Sequence, residues 1–305
     1  MLFPGQASQY VGMGKDYYDA FGEARDIYKS ENRKLGFDIT ELSFSGDLDE
    51  LTKTHNAQPA ILIHSLAVLH ALLARGYEPS IVAGHSLGEF SALVAAGYFK
   101  PMDALLIVRK RGELMYEAGL ERPGTMAAII GLEEDKVEEI VKQASRTGVI
   151  VIANYNAPGA LVISGEVDVV MRAMEIAKEM GAKGAIQIQV SGAFHSPLMK
   201  TTSNTLIDYI KKFDTGRLRL PWIANVTGEQ ASNSEAVIDL LARQLSSPVR
   251  WVTSMRTLGA ATTDPVYEVG PGKVLTGLMK RNEGGIKVQP LTDLKEFGKV
   301  FGLGG

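Results

Sequence analysis

Ile81-Val82-Ala83-Gly84-His85-Ser86-Leu87-Gly88 joins a short apolar run to an amphipathic one through two glycines that flank a serine. The apolar run reads as a buried strand, and the stretch from residue 87 to about residue 98 reads as a helix packed against it. G-x-S-x-G in that context is a nucleophile elbow, a tight strand-to-helix turn that presents the serine hydroxyl. Such a turn strains the serine backbone, and the glycines keep neighbouring side chains from clashing. It also sets Ser86 at a helix amino terminus, where free N–H groups can receive an oxyanion. The plainer reading, a glycine-rich turn with an incidental serine, is disfavoured by the flanking pattern.

Outward from the elbow, helical and strand patterns alternate along the chain, which defines an α/β protein. Residues 58–75 repeat Leu62, Leu66, Leu69 and Leu73 at helical spacing, and Pro101 opens a further helix to about residue 118. Between about residues 125 and 190 the rhythm changes. Strands are expected at 125–130, 149–153, 161–164 and 185–190, with helices at 134–144 and 167–180. The order βαββαβ is that of a ferredoxin-like unit, here inserted into a larger α/β domain that resumes near Ser191. A helix at 197–212 and strands at 222–226 and 266–269 complete the larger domain.

Composition narrows the chemistry. The 305 residues are 45% hydrophobic and 22% charged with a formal net charge of −3, so the chain is globular, with no basic footprint for nucleic acid and no polybasic membrane patch. There is no cysteine, which excludes thiolate nucleophiles, disulfides and cysteine-held metals. No secretory signal opens the chain and no apolar run approaches a bilayer span, so the expected location is the cytoplasm.

A serine nucleophile needs a base, and the chain has five histidines. His85 adjoins the serine but should point away from it, as a packed or orienting residue. His64 and His70 fall on an apolar helix and are expected to be satisfied core or surface histidines, and His55 lies in a polar loop. His195 follows a strand and precedes Ser196-Pro197, an N-cap and first-turn proline, so it sits at a junction of the kind that lines an α/β crevice. Asp103, Glu113 and Glu117 are candidates for a triad acid, each without distinguishing context, and the orienting group need not be a carboxylate.

Arg111 lies on the stripe formed by Ala104, Ile107, Val108 and Met115, so it is expected to face inward, whereas Arg109 and Lys110 need only solvent. An inward guanidinium requires an anionic partner: either an internal salt bridge or a substrate carboxylate held in a bidentate clamp. Gly12-Met13-Gly14 fails as a dinucleotide fingerprint because Tyr17 stands at the third glycine, and no motif implies a metal.

Together these motifs resemble the malonyl-CoA:acyl carrier protein transacylase family. The resemblance runs through Phe3-Pro4-Gly5-Gln6, Ala57-Gln58-Pro59-Ala60, Gly84-His85-Ser86-Leu87-Gly88-Glu89, Arg111-Gly112, Asn154-Tyr155-Asn156-Ala157-Pro158-Gly159, Phe194-His195-Ser196, Asn225-Val226-Thr227, Arg243-Gln244-Leu245 and Glu268-Val269-Gly270-Pro271-Gly272, in order. It implies an α/β-hydrolase-like large domain (1–123 and 191–305) with a ferredoxin-like small domain (124–190). It also implies Ser86 as the acylated nucleophile, His195 as the base, and the Gln244 main-chain carbonyl orienting that histidine. The N–H groups of Gln6 and Leu87 would form the oxyanion hole, Arg111 would bind the malonyl carboxylate, Gln58 would line the acyl pocket, and Leu87 and Phe194 would favour malonyl over branched units. The implied substrates are malonyl-CoA and acyl carrier protein, with no cofactor or metal and with the chain acting as a monomer. A serine esterase or thioesterase, or an acyltransferase domain of a polyketide-type synthase, is the alternative.

Overall fold

The computed structural model describes residues 1–190, 192–231, 233–282 and 286–302. The expected return to the large domain falls on Ser191, which lies outside the described residues. Among them the strands are β1 (Leu2–Phe3), β2 (Val82–Gly84), β3 (Gly124–Ile130), β4 (Ile150–Ala157), β5 (Ala160–Glu166), β6 (Gly184–Ile188), β7 (Trp222–Ile223), β8 (Gln230–Ala231), β9 (Val266–Glu268) and β10 (Val288–Pro290).

Six of these form one sheet in the order β10-β9-β1-β2-β7-β8, parallel throughout except for the edge strand β8. The central pair is in register with Leu2 opposite Ala83 and Phe3 opposite Gly84, so the elbow leaves the carboxyl end of a strand buried on both sides. That is where an open α/β sheet places its crevice.

The other four strands form an antiparallel sheet in the order β4-β5-β3-β6. Its two faces follow the period of two along each strand. Ala127, Ile129 and Ile163 pack with the helices Glu134–Ala144 and Val167–Glu179 in a core of their own, while Met126 and Val162 point the other way into the main core. Tyr155 N donates to Val249 O at 2.9 Å and Val249 N to Ala153 O at 2.8 Å, so backbone pairing ties this sheet to the chain beyond it.

Several boundaries differ from the expected ones for local reasons. The strand expected at 222–226 ends at Ile223, because Ala224 N donates to Glu229 O and Asn225 N to the Glu89 carboxylate. The helix expected from Pro197 starts as a 3₁₀ turn, Pro197–Met199, capped by Ser196 Oγ, and becomes α-helical over Lys200–Ile210. The helix Thr54–Leu73, with 20 residues and mean hydropathy 1.3, has the length and composition of a bilayer span, contrary to the expectation that no segment would. It is a core helix instead, with 89% of its most apolar window buried.

Candidate active site

Ser86 sits in the left-handed region at φ 51°, between two glycines that admit no side chain. A Cβ on Gly84 would lie 2.0 Å from the Gly88 carbonyl carbon, and one on Gly88 would lie 2.1 Å from Phe3 O. The turn is pinned from a neighbouring strand end by Asn225, whose Oδ1 accepts from Ser86 N at 2.7 Å and whose Nδ2 donates to Gly84 O at 2.6 Å. His195 also has a left-handed backbone, φ 57°, and so does Ala7, φ 77°. These are the non-glycine residues with positive φ among the described residues, and all three line one cavity. Each such conformation costs on the order of 1–2 kcal/mol, which the surrounding fold must hold in place.

Within the cavity Ser86 Oγ lies 2.8 Å from His195 Nε2. The other ring nitrogen, Nδ1, meets two main-chain carbonyls, Gln244 O at 3.0 Å and Ser247 O at 3.2 Å. Carbonyls only accept, so Nδ1 carries the proton and Nε2 is left to accept from the serine. Gln244 ends the helix Glu235–Gln244, and a terminal helix carbonyl lacks an intrahelical partner and carries partial negative charge. It occupies the place of a triad carboxylate. Glu113, one candidate acid, instead pairs with Arg109 at 2.8 Å. Burial, aided by the Arg111 charge, pushes the His195 imidazole down to about 3, so it rests neutral.

Arg111 is 1% exposed, as its position on the apolar stripe required. Its Nη1 donates to Gln58 Oε1 at 2.8 Å, and its Nη2 to Ser86 Oγ at 3.0 Å and to Gln244 Oε1 at 3.1 Å. Nε has no partner among the described residues. Among the described residues no carboxylate pairs with Arg111: its side-chain acceptors are two neutral amides and the Ser86 hydroxyl, and the guanidinium keeps its charge unspent beside the serine. Burial, only partly offset by Glu89, lowers it to about 9.

The cavity has a volume of about 470 Å³ and is walled by Gln6, Leu87, Met115, Met126, Val162 and Phe194 around Ser86, His195 and Arg111. Neither Gln6 N nor Leu87 N is given to an acceptor among the described residues, and both residues line this space. Gln58 departs from its expected place on the acyl wall. It is fully buried behind Arg111, holding Nη1 with Oε1 and reaching Met115 Sδ with Nε2 at 3.3 Å. Arg109 also departs from expectation, since it binds His55 O and Asn56 Oδ1 rather than solvent alone. His85 is packed and hydrogen-bonded, its Nε2 paired with Asn156 Oδ1 at 2.8 Å and its ring edge-on to Trp251. His64 is not the satisfied core histidine expected, because neither ring nitrogen has a partner among the described residues. Asn225 and Glu89 stood in the sequence motifs without a role; the contacts that define them cross 139 and 155 residues.

The fold, with a serine on an elbow beside a histidine and an arginine, points to a class, the α/β enzymes that handle acyl groups. Residues 1–291 match the acyl transferase domain family, and the chain belongs to it. It is similar to the malonyl CoA-acyl carrier protein transacylase of Bacillus subtilis, 42% identical over 293 residues that cover 96% of this chain and 92% of that one. A solved acyl-carrier-protein S-malonyltransferase from Burkholderia pseudomallei is 40% identical with a TM-score of 0.94, covering 99% of this chain and 98% of that one. A malonyl-transacylase solved in complex with a type II polyketide acyl-carrier protein is 36% identical with a TM-score of 0.93, covering 97% and 96%.

Proposed function

We propose that this acyltransferase carries a malonyl group from malonyl-CoA to the phosphopantetheine thiol of an acyl carrier protein, supplying fatty acid synthesis in the cytoplasm through a malonyl ester on Ser86. The observation that carries the reading is one hydroxyl shared by a base and a cation: Ser86 Oγ is 2.8 Å from His195 Nε2 and 3.0 Å from Arg111 Nη2. Oγ gives its proton to Nε2 and attacks the thioester carbonyl, while the N–H groups of Gln6 and Leu87 receive the oxyanion. The C–S bond breaks and the departing thiolate takes the proton from His195. The carrier thiol then attacks the ester by the same steps in reverse, and Ser86 recovers its proton. A malonyl group is three carbons long, so its free carboxylate reaches a cation that already touches the ester oxygen. Arg111 thereby fixes the acyl group for attack. No dissociable cofactor enters these steps.

Residues 1–123 and 191–305 form the catalytic domain in this reading, and 124–190 form the small domain, whose Met126 and Val162 close the apolar wall. Incubation with labelled malonyl-CoA and no carrier tests the intermediate. The wild-type chain should retain label that is released on adding carrier thiol, and Ser86→Ala should retain none. Label held by Ser86→Ala, or wild type that yields only free malonate, would overturn it.

A further inference from the structure

Glu89 is 1% exposed, lies three residues after the serine, and touches none of the reacting groups directly. Ser86-x-x-Glu89 has the spacing of a capping box, in which the glutamate would reach back to the serine N–H. That N–H is taken by Asn225 Oδ1 instead, and the Glu89 carboxylate is released for other partners. Its Oε1 accepts from Asn225 N at 2.8 Å and its Oε2 from Gln244 Nε2 at 2.6 Å.

The Gln244 amide therefore lies between an acceptor and a donor. Asn225 N and Gln244 Nε2 both donate to Glu89, so both of its oxygens accept, and a guanidinium offers only donors; the amide therefore has one permitted orientation, NH₂ toward Glu89 and oxygen toward Arg111. The same NH₂ also donates to Ser86 O at 2.8 Å. From one carboxylate, hydrogen bonds thus reach the serine turn through Asn225, and the arginine through Gln244, whose main-chain oxygen holds His195.

We infer that Glu89 is a positioning residue for acyl selection: it fixes the polarity of the Gln244 amide and so holds Arg111 with its charge free for a substrate carboxylate. The inference rests on the Arg111 clamp of the proposed function. Glu89→Gln keeps the shape but puts an NH₂ against one of the two donors. Where that donor is Gln244, the clash is relieved by turning its own NH₂ toward Arg111 and giving up its bond to Ser86 O, which displaces the guanidinium.

The test compares kcat and KM for malonyl-CoA and acetyl-CoA with a fixed carrier protein. Wild type that shows no preference for malonyl-CoA would overturn the clamp itself. Given a wild-type preference, Glu89→Gln should lower the malonyl-to-acetyl ratio of kcat/KM at least tenfold, chiefly through the malonyl-CoA KM. Gln244→Leu, which retains the main-chain carbonyl, should lower it similarly, and the double variant should be no worse than Gln244→Leu alone. A wild-type ratio in folded Glu89→Gln, or losses that multiply in the double variant, would overturn the inference. If Glu89→Gln does not fold, Gln244→Leu decides: a wild-type ratio there overturns it.

Discussion

His195 and Arg111, side chains of different chemistry, converge on the Ser86 hydroxyl, and the legibility of the three residues in sequence followed how local each signal was. The serine announces itself through glycines two positions away, and His195 through the cap and proline that follow it. Arg111 was readable because a charge on an apolar helical stripe contradicts its neighbours. The neutral amides that hold it were not, since Gln58 and Gln244 are 53 and 133 residues distant. In the proposed reaction Arg111→Ala should lower kcat/KM for malonyl-CoA at least a hundredfold while sparing acetyl-CoA, measured as carrier acylation; equal losses on both donors would remove the clamp. Arg111→Lys should recover only part of it, because a point charge lacks the guanidinium fork. His195 carries a second prediction. Its imidazole is pushed down to about 3 by burial, so the neutral, base-competent form persists as pH falls past the ordinary value. An unperturbed imidazole would lose about tenfold in base form between pH 7.5 and 5.5. The rate of Ser86 malonylation by rapid quench should fall less than twofold over that range, and a tenfold fall would contradict a neutral buried base.

Elements were legible where periodicity and punctuation agreed. The helix Glu134–Ala144 matches its expected bounds, and Val167–Glu179 differs by one residue, because each is amphipathic and sits between clear breaks. Strands of two or three residues, such as Leu2–Phe3 and Trp222–Ile223, are too short to show a period and are defined by their neighbours. The elbow is a contact between elements as much as a turn: the helix Gly88–Ala95 starts so close to the first strand that Gly88 has no room for a Cβ beside Phe3 O. Gly88→Ala should therefore destabilise the fold by about 1–3 kcal/mol, the usual cost of overpacking. Urea unfolding would register it as a lower midpoint with an unchanged slope, and an unshifted midpoint would mean that the strand and helix are not in contact at this glycine.

At the scale of the whole molecule, the order β10-β9-β1-β2-β7-β8 brings residues from both ends of the chain to one crevice, an outcome that no local pattern encodes. The same compactness buries ionisable groups with opposing effects on stability. His64 and His195 are both pushed down to about 3, so below pH 6.5 the unfolded chain binds protons that the native one refuses, and native stability falls. Glu89, raised by burial against the two hydrogen bonds it accepts and the nearby Arg111 charge, acts in the reverse sense: it binds its proton more tightly when folded, and that contribution is lost as pH rises above 4.5. The net slope mixes these terms, but a single substitution isolates one. His64 lies outside the catalytic cluster, between Tyr17 and the helix core, with both ring nitrogens lacking partners among the described residues. His64→Leu removes the group that the unfolded state protonates and fills similar apolar space. Its stability relative to wild type should thus rise by about 1.4 kcal/mol for each pH unit below 6.5, the free energy of one proton per unit. Urea midpoints of both proteins at pH 7.5, 6 and 5 give the comparison; a difference that stays constant across the three would show that His64 is not held neutral by the fold.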